Sequence, residues 1–98
     1  MRTAFSIFKD SVAKYTPEYA EEVTTIPADT TRRLAKEFGE AACIGQTVEV
    51  DGLTVPYRPV AVDTFSGIAR HKHGFITHWA ILQLNTLVGS TFSRGGYL

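Results

Sequence analysis

The sequence predicts an α/β protein in which N-terminal helices precede a short β-hairpin and a strand–loop–helix unit. Apolar residues recur with helical spacing through residues 1–42. An Asp-Gly pair between β-branched residues then marks a tight hairpin turn. A long apolar run follows nearer the C-terminus. At 98 residues the chain is one domain at most.

Two helices are predicted before residue 25. The first is indicated by apolar residues at helical spacing, namely Phe5, Phe8, Val12 and Tyr15. The second begins at Thr16-Pro17, because Thr is a good N-cap and Pro suits the first helical position. We expect its buried side to consist of Tyr19, Ala20 and Val23.

A third helix begins near Ile26–Asp29, where Asp29 favours a helix N-terminus electrostatically. Its apolar stripe follows i, i+3, i+4, i+7 spacing and consists of Thr31, Leu34, Ala35 and Phe38. Gly39 is predicted to end this helix as a C-cap.

The β part begins with Thr47–Val50, Asp51-Gly52 and Leu53–Val55, which predict a hairpin because Asp-Gly accepts positive φ angles. The apolar run Val60–Val62 predicts a buried, parallel strand. Phe75–Val88 is apolar nearly all round and predicts a buried helix, too short to span a membrane, that ends at Gly89. We expect Asn85 in this helix to be buried and hydrogen-bonded to a neighbouring segment.

The connection Thr64–Gly74 is the first candidate for function, because eleven residues are long for a strand-to-helix link. Ligands of open α/β sheets bind at the carboxyl ends of strands. Arg70, Lys72 and the helix N-terminus near Gly74 together favour an anionic ligand or a polar heterocycle. A solvated loop and a metal site at His71 and His73 are the alternatives, the latter without a nearby carboxylate or thiolate.

Composition excludes several classes. Ten Lys and Arg balance ten Asp and Glu, so no basic excess indicates a nucleic-acid partner. The lone Cys43 excludes an internal disulfide and a cysteine-ligated iron–sulfur site within this chain, and is read as a core residue. His78 is likewise read as packing. The chain has no nucleotide-binding glycine motif and no hydrolase or zinc-protease motif.

Several segments, in order, resemble the molybdopterin oxidoreductase superfamily of the dimethyl sulfoxide reductase type. They are Tyr15–Thr24 with Ile26–Thr30, Arg33–Phe38, the loop residues Gly67, His71 and Gly74, the helix pattern Leu84-Asn85-x-Leu87-x-Gly89, and Arg94-Gly95-Gly96. The proline usual before the last glycine pair is absent. A narrower similarity, to tetrathionate reductase large subunits and their arsenate and thiosulfate relatives, is carried by Ile44–Val62.

The resemblance implies that residues 1–98 are a single partial domain, with a helical part at 1–42 and the hairpin, strand and buried helix of a partly complete Rossmann-like domain at 45–98. In the parent subunit this region would help to bind a bis(molybdopterin guanine dinucleotide) molybdenum cofactor. The cofactor-binding candidates are Ser66, Gly67, Arg70, His71 and Gly74, with backbone N–H groups at the glycines and the Arg70 and His71 side chains as donors. No residue here is a candidate for catalysis or for ligating a metal.

The resemblance also implies a setting. The expected partners are the rest of the same subunit, an iron–sulfur electron-transfer subunit, and a membrane anchor subunit, in an extracytoplasmic complex of anaerobic respiration. The family's cysteine cluster and molybdenum-ligand segment are absent, so we expect this chain alone to bind no cofactor and to lack turnover. The alternative is a free-standing ligand-binding or protein-interaction module without catalytic activity.

Overall fold

The computed structural model describes residues 1–97, which form helices and one small antiparallel sheet. The elements are α1 (Ala4–Val12), α2 (Pro17–Thr24), α3 (Ala28–Ala41), β1 (Thr47–Val50), β2 (Leu53–Pro56), α4 (Ser66–Ala69) and α5 (Gly74–Val88). The chain divides into two compact units, residues 1–36 and the part from Glu37 onward. No helix in the described part is long and apolar enough to cross a membrane. The predicted α/β class is confirmed.

Hydroxyl caps start the first two helices. The side chain of Thr3 accepts a hydrogen bond from the Ser6 N–H at 3.1 Å, and Thr16 accepts one from the Tyr19 N–H at 3.2 Å. Thr16 is therefore the N-cap that the sequence predicts. The expected burial of the α2 face is wrong, since Tyr19 is 47% exposed and Val23 66% exposed.

Glu18 and Glu21 tie α2 to the start of α3. Arg32 of α3 donates to the Glu18 carboxylate, and this hydrogen bond holds the pKa of Glu18 below its ordinary value. The Ala28 N–H donates to Glu21 Oε2 at 3.0 Å and so satisfies one of the unpaired donors at the α3 N-terminus.

The predicted end of the third helix at Gly39 is wrong. α3 continues through Gly39 to Ala41, and a methyl group built on Gly39 would meet nothing within 4 Å. The reversal comes at Cys43 and Gly45, which have φ angles of 49° and 93°. Positive φ at these two positions, rather than at Gly39, turns the backbone out of the helix. Leu34, expected on the buried stripe, is 52% exposed.

The hairpin is confirmed. β1 and β2 pair in antiparallel register with Val50 opposite Leu53. Asp51 and Gly52 occupy the turn with φ angles of 51° and 80°, the two positive values that a type I′ turn requires.

The strand predicted at Val60–Val62 does not form in the described part of the chain, whose sheet contains β1 and β2 alone. Its backbone groups are used otherwise. The Val60 N–H turns back to the Arg58 carbonyl at 2.8 Å, and Val62 is paired by the Asn85 side chain. A short apolar run resembles a buried strand in sequence even where no neighbouring strand is available.

α5 forms as predicted and ends at Gly89, whose φ of 74° lets its N–H bond back to the Asn85 and Thr86 carbonyls. The expected burial of this helix is wrong for most of its surface. Phe75 is 75% exposed, Ile76 62% and Trp79 55%. Asn85, in contrast, is 1% exposed, as the sequence predicts.

Arg58 is the main polar tie of the second unit, and the sequence gives no sign of it. Its Nε donates to the Val88 carbonyl at 3.1 Å, where a cation also complements the α5 C-terminus. Its Nη1 donates to the carbonyls of Gln46 at 3.0 Å and Tyr57 at 2.7 Å. One guanidinium thereby joins the end of α5 to the base of the hairpin.

Candidate functional site

The candidate site is the loop Thr64–Gly74, and its first end is held by side chains from α5 and the C-terminal segment. Asn85 Oδ1 accepts from the Val62 N–H, and Asn85 Nδ2 donates to the Val62 carbonyl, both at 2.8 Å. The Tyr97 hydroxyl donates to Asp63 Oδ1 at 3.2 Å, and that oxygen also accepts the Thr64 N–H at 2.8 Å. The loop therefore starts from a fixed point.

The loop is less open than the sequence indicates, because it contains the one-turn helix α4 (Ser66–Ala69). Its far end is fixed by the contact of Gly74 with Ala69. A methyl group on Gly74 would lie 2.9 Å from the Ala69 Cα and closer still to the Ala69 carbonyl group. Glycine is required here for the close approach of α4 to α5.

This contact corrects the role expected of Gly74. Its N–H donates to the His71 carbonyl at 2.9 Å, so it is already engaged within the protein and is not a free donor for a cofactor. Gly67 differs, since it is exposed and a methyl group there would meet nothing within 4 Å.

The two loop histidines contact each other through one hydrogen bond and through their rings. His71 Nδ1 accepts the His73 N–H at 3.1 Å, which indicates that a neutral His71 carries its proton on Nε2. The rings of His71 and His73 meet edge to face with centroids 6.5 Å apart. His71 thus presents an outward N–H donor.

Four consecutive side chains of the loop are exposed, namely Arg70, His71, Lys72 and His73. Neither Arg70 nor Lys72 forms an ion pair with a carboxylate of residues 1–97. The half-buried Ser66 hydroxyl also has no hydrogen-bond partner in that part of the chain. Unpaired cations beside hydroxyl and imidazole donors favour an anionic or acceptor-rich ligand.

One hydroxyl at the loop entrance was missed by sequence reasoning. Thr64 Oγ1 is buried and has no hydrogen-bond partner within the described residues. A buried hydroxyl without a partner is uncommon and needs an explanation. A threonine gives no signal of this in sequence, because the burial comes from tertiary packing.

An open apolar recess of about 680 Å³ adjoins the loop, between α4 and the first half of α5. It is lined by Ala69, Phe75, His78, Trp79 and Leu82. The Phe75 and Trp79 rings meet edge to face at 5.7 Å. His78, expected to pack, is half-buried here.

Metal ligation is not what this arrangement favours. Within residues 1–97 no three His, Cys, Asp or Glu side chains come together in a way that could hold a metal ion. The sole cysteine, Cys43, is half-buried, and its thiol lies 3.9 Å from the Glu40 carbonyl.

Known proteins match the chain over nearly its whole length. It is 36% identical to a sulfite dehydrogenase chain of Allochromatium vinosum over 107 aligned residues, which include 99% of this chain and 11% of the relative. It is 33% identical, over 87 residues and 89% of this chain, to the dimethyl sulfoxide reductase DmsA and to the probable dimethyl sulfoxide reductase chain YnfF of Escherichia coli, covering 9% of each. The chain is homologous to one segment of these oxidoreductase subunits.

These relatives are members of the molybdopterin oxidoreductase family, so the resemblance is confirmed at that level for the segment that this chain matches. The chain spans about a tenth of the length of the relatives it matches. They do not bear out the narrower similarity to tetrathionate reductases. No protein-family model and no solved structure matches the chain.

Proposed function

We propose that this chain is part of the catalytic subunit of a molybdopterin-dependent oxidoreductase and contributes the loop Thr64–Gly74 to cofactor binding. The observation that carries the proposal is the cationic loop itself. It is anchored at both ends and presents unpaired donors, within a chain homologous to a segment of sulfite dehydrogenase and dimethyl sulfoxide reductase subunits.

The loop residues fit an acceptor-rich cofactor with phosphate groups, in the bis(molybdopterin guanine dinucleotide) form. Arg70 and His71 would donate side-chain hydrogen bonds, and the Ser66 hydroxyl and the Gly67 backbone lie in the same exposed turn. Gly74 would act indirectly by letting α4 approach α5.

The bound cofactor would supply the redox chemistry, and the loop would position it and tune its electronics through hydrogen bonds and charge. Lys72 would add positive charge beside the anionic groups without the geometric demand of a guanidinium.

The substrate class we infer is an oxidised sulfur compound. Sulfite and dimethyl sulfoxide appear in the names of the relatives, and the motif at Ile44–Val62 resembles that of tetrathionate reductases. The proposed setting is an extracytoplasmic, membrane-associated complex of anaerobic respiration. Its further members would be an iron–sulfur electron-transfer subunit, and a membrane anchor subunit.

The test is the cofactor content of the complete catalytic subunit carrying Arg70→Ala or Lys72→Ala. Molybdenum and pterin per polypeptide should fall about tenfold in each, because charge-assisted hydrogen bonds contribute about 1.5–3 kcal/mol. Lys9→Ala is the matched control, since Lys9 is an exposed lysine in the last turn of α1, outside the loop. Unchanged cofactor content in both loop variants would contradict the proposal.

Substrate identity needs a separate measurement. The complete subunit would be assayed with a reduced dye and tetrathionate or dimethyl sulfoxide, and with sulfite and an electron acceptor. Turnover of one of the three assigns the substrate, and turnover of none contradicts the sulfur-compound proposal. The 98-residue chain alone should show none.

The second candidate is a protein-interaction module, and the exposed apolar surface of α5 favours it. Phe75, Ile76 and Trp79 are each more than half exposed, and the Phe75 and Trp79 rings contact each other, as in the contiguous apolar patches that mark interaction sites. A pterin or guanine-nucleotide titration that shifts NMR signals on another face, and none within Ser66–Gly74, would favour this module over cofactor binding.

A further inference from the structure

Val62 receives an unusual kind of partner. The Asn85 carboxamide bonds to both the N–H and the C=O of this one residue, at 2.8 Å each. A neighbouring strand would make the same pair of bonds in an antiparallel ladder. The side chain therefore substitutes for a strand at the point where the chain leaves the segment 60–62 and enters the loop.

Asn85 is itself rigidly placed. It is 1% exposed, and the fully buried Ser90 donates its hydroxyl to Asn85 Oδ1 and to the Asn85 carbonyl, at 3.3 Å each. The Ser90 N–H also bonds to the Asn85 carbonyl at 2.9 Å. A carboxamide fixed by helix and turn can transmit that fixed position to Val62.

A second tether acts one residue later. The Tyr97 hydroxyl holds Asp63 Oδ1, which in turn accepts the Thr64 N–H. Val62 and Asp63 together determine the direction in which Thr64 enters the loop. The buried Thr64 hydroxyl, without a partner in the described chain, lies directly after this pair.

We propose that Asn85 is a positioning residue for the loop Thr64–Gly74, with the Tyr97–Asp63 hydrogen bond as its auxiliary. The carboxamide fixes the loop entrance, so that the donors of the loop are ordered before a ligand arrives. Preorganisation of this kind reduces the entropy lost on binding. The inference deepens the proposed function and rests on it for the identity of the ligand.

The test measures hydrogen–deuterium exchange by mass spectrometry in the native protein that contains this chain. Asn85→Leu keeps the approximate volume and removes both bonds to Val62. Peptides covering residues 62–74 should exchange about tenfold to a hundredfold faster, because both hydrogen bonds that hold Val62 are lost. Peptides covering the hairpin β1–β2 should be unchanged.

Gln83→Leu is the matched control. It makes the same amide-to-leucine change on the same helix, at a half-buried side chain that forms no hydrogen bond within the described residues. If Asn85 serves only general packing of α5, this variant and Asn85→Leu will loosen the same peptides to similar degrees, and the positioning role is overturned. Selective loosening of 62–74 by Asn85→Leu alone supports it.

Asn85→Asp provides a conservative rescue that packing alone does not predict. A protonated carboxylic acid offers one donor and one acceptor, as the carboxamide does, while a carboxylate offers acceptors only. Protection of residues 62–74 in this variant should return as pH falls through the pKa of the introduced acid, which burial raises. A rescue absent at every pH would overturn the inference, as would wild-type protection of residues 62–74 at a pH where the introduced acid is ionised.

Failure of this inference is distinguishable from failure of the proposed function. If Asn85→Leu loosens the loop while Arg70→Ala and Lys72→Ala leave the cofactor content unchanged, the positioning role stands and the cofactor is excluded as the ligand of the loop. If those two variants lose cofactor while Asn85→Leu leaves hydrogen–deuterium exchange unchanged, the proposed function stands and the positioning role is excluded.

Discussion

Gly74→Ala tests whether the contact between α4 and α5 shapes the loop. Gly74 is buried at the first position of α5, and an added methyl group would lie 2.9 Å from the Ala69 Cα and closer still to its carbonyl group. The Ala69 carbonyl already accepts the His71 N–H at 3.0 Å. Backbone atoms cannot rotate aside, so α4 must move and take His71 with it.

The expected loss of stability in Gly74→Ala follows from the kind of atoms that the added methyl group would meet. Overpacking a well-fitted site costs about 1–3 kcal/mol, and a clash with backbone belongs at the upper end of that range. We expect a loss of about 3 kcal/mol, which is roughly a 150-fold change in the ratio of folded to unfolded protein. Gly67→Ala is the internal control, because its methyl group meets nothing within 4 Å and should stabilise α4 by up to about 1 kcal/mol.

The assay is folding of the 98-residue chain in a titration with trimethylamine oxide, followed by the fluorescence of Trp79, its sole tryptophan. The osmolyte favours the compact state and keeps the equilibrium measurable for a destabilised variant. The Gly74→Ala midpoint should move to higher osmolyte and the Gly67→Ala midpoint to equal or lower osmolyte. Equal midpoints for Gly74→Ala and the wild type would refute the packing argument.

The remaining predictions concern two polar ties. Arg58→Lys should destabilise the chain by about 1–3 kcal/mol in the same titration, because a single ammonium cannot reach the carbonyls that the guanidinium joins. An unchanged midpoint would mean that those hydrogen bonds make no net contribution to the free energy of unfolding. Asp63→Ala should lower the pKa of Tyr97 in a ¹³C-tyrosine NMR titration, because the hydrogen bond to Asp63, followed by its negative charge, raises that pKa. Since the raised pKa belongs to the folded state, the Tyr97 contribution to stability is present below the ordinary tyrosine pKa and is lost as pH rises through the raised one. A Tyr97 pKa in Asp63→Ala equal to that of the wild type would exclude the hydrogen bond between Tyr97 and Asp63.

Local signals in the sequence were sufficient for the elements whose cause is local. The Thr16 cap, the Asp51-Gly52 turn and the Gly89 stop each depend on one or two residues and their own backbone angles. The prediction that α3 ends at Gly39 was wrong because a glycine permits a helix end without requiring one. The reversal instead uses a cysteine at positive φ, which no propensity favours.

The site was predictable in location and only partly in detail. A long cationic connection before an apolar helix identifies Arg70 and His71 from composition alone. The anchors do not follow from it, because Asp63 and Tyr97 are 34 positions apart in the chain and Asn85 lies 23 positions beyond Val62. Pairings at such separations are set by tertiary structure, and no local pattern encodes them.

The burial predicted for α5 fails for a different reason. A helix that is apolar on all sides evolves where protein surrounds it, whereas about half of the α5 side chains are exposed in the described structure. Ala28 and Ala42 are the buried apolar side chains of that part, while Phe75, Ile76 and Trp79 stay exposed. Two alanines supply only a small part of the apolar burial that stabilises an independent domain of this size, which is why folding of the chain alone is followed in a stabilising osmolyte. The sequence of α5 therefore describes a more enclosed environment than these residues provide, which agrees with homology to about a tenth of much larger oxidoreductase subunits.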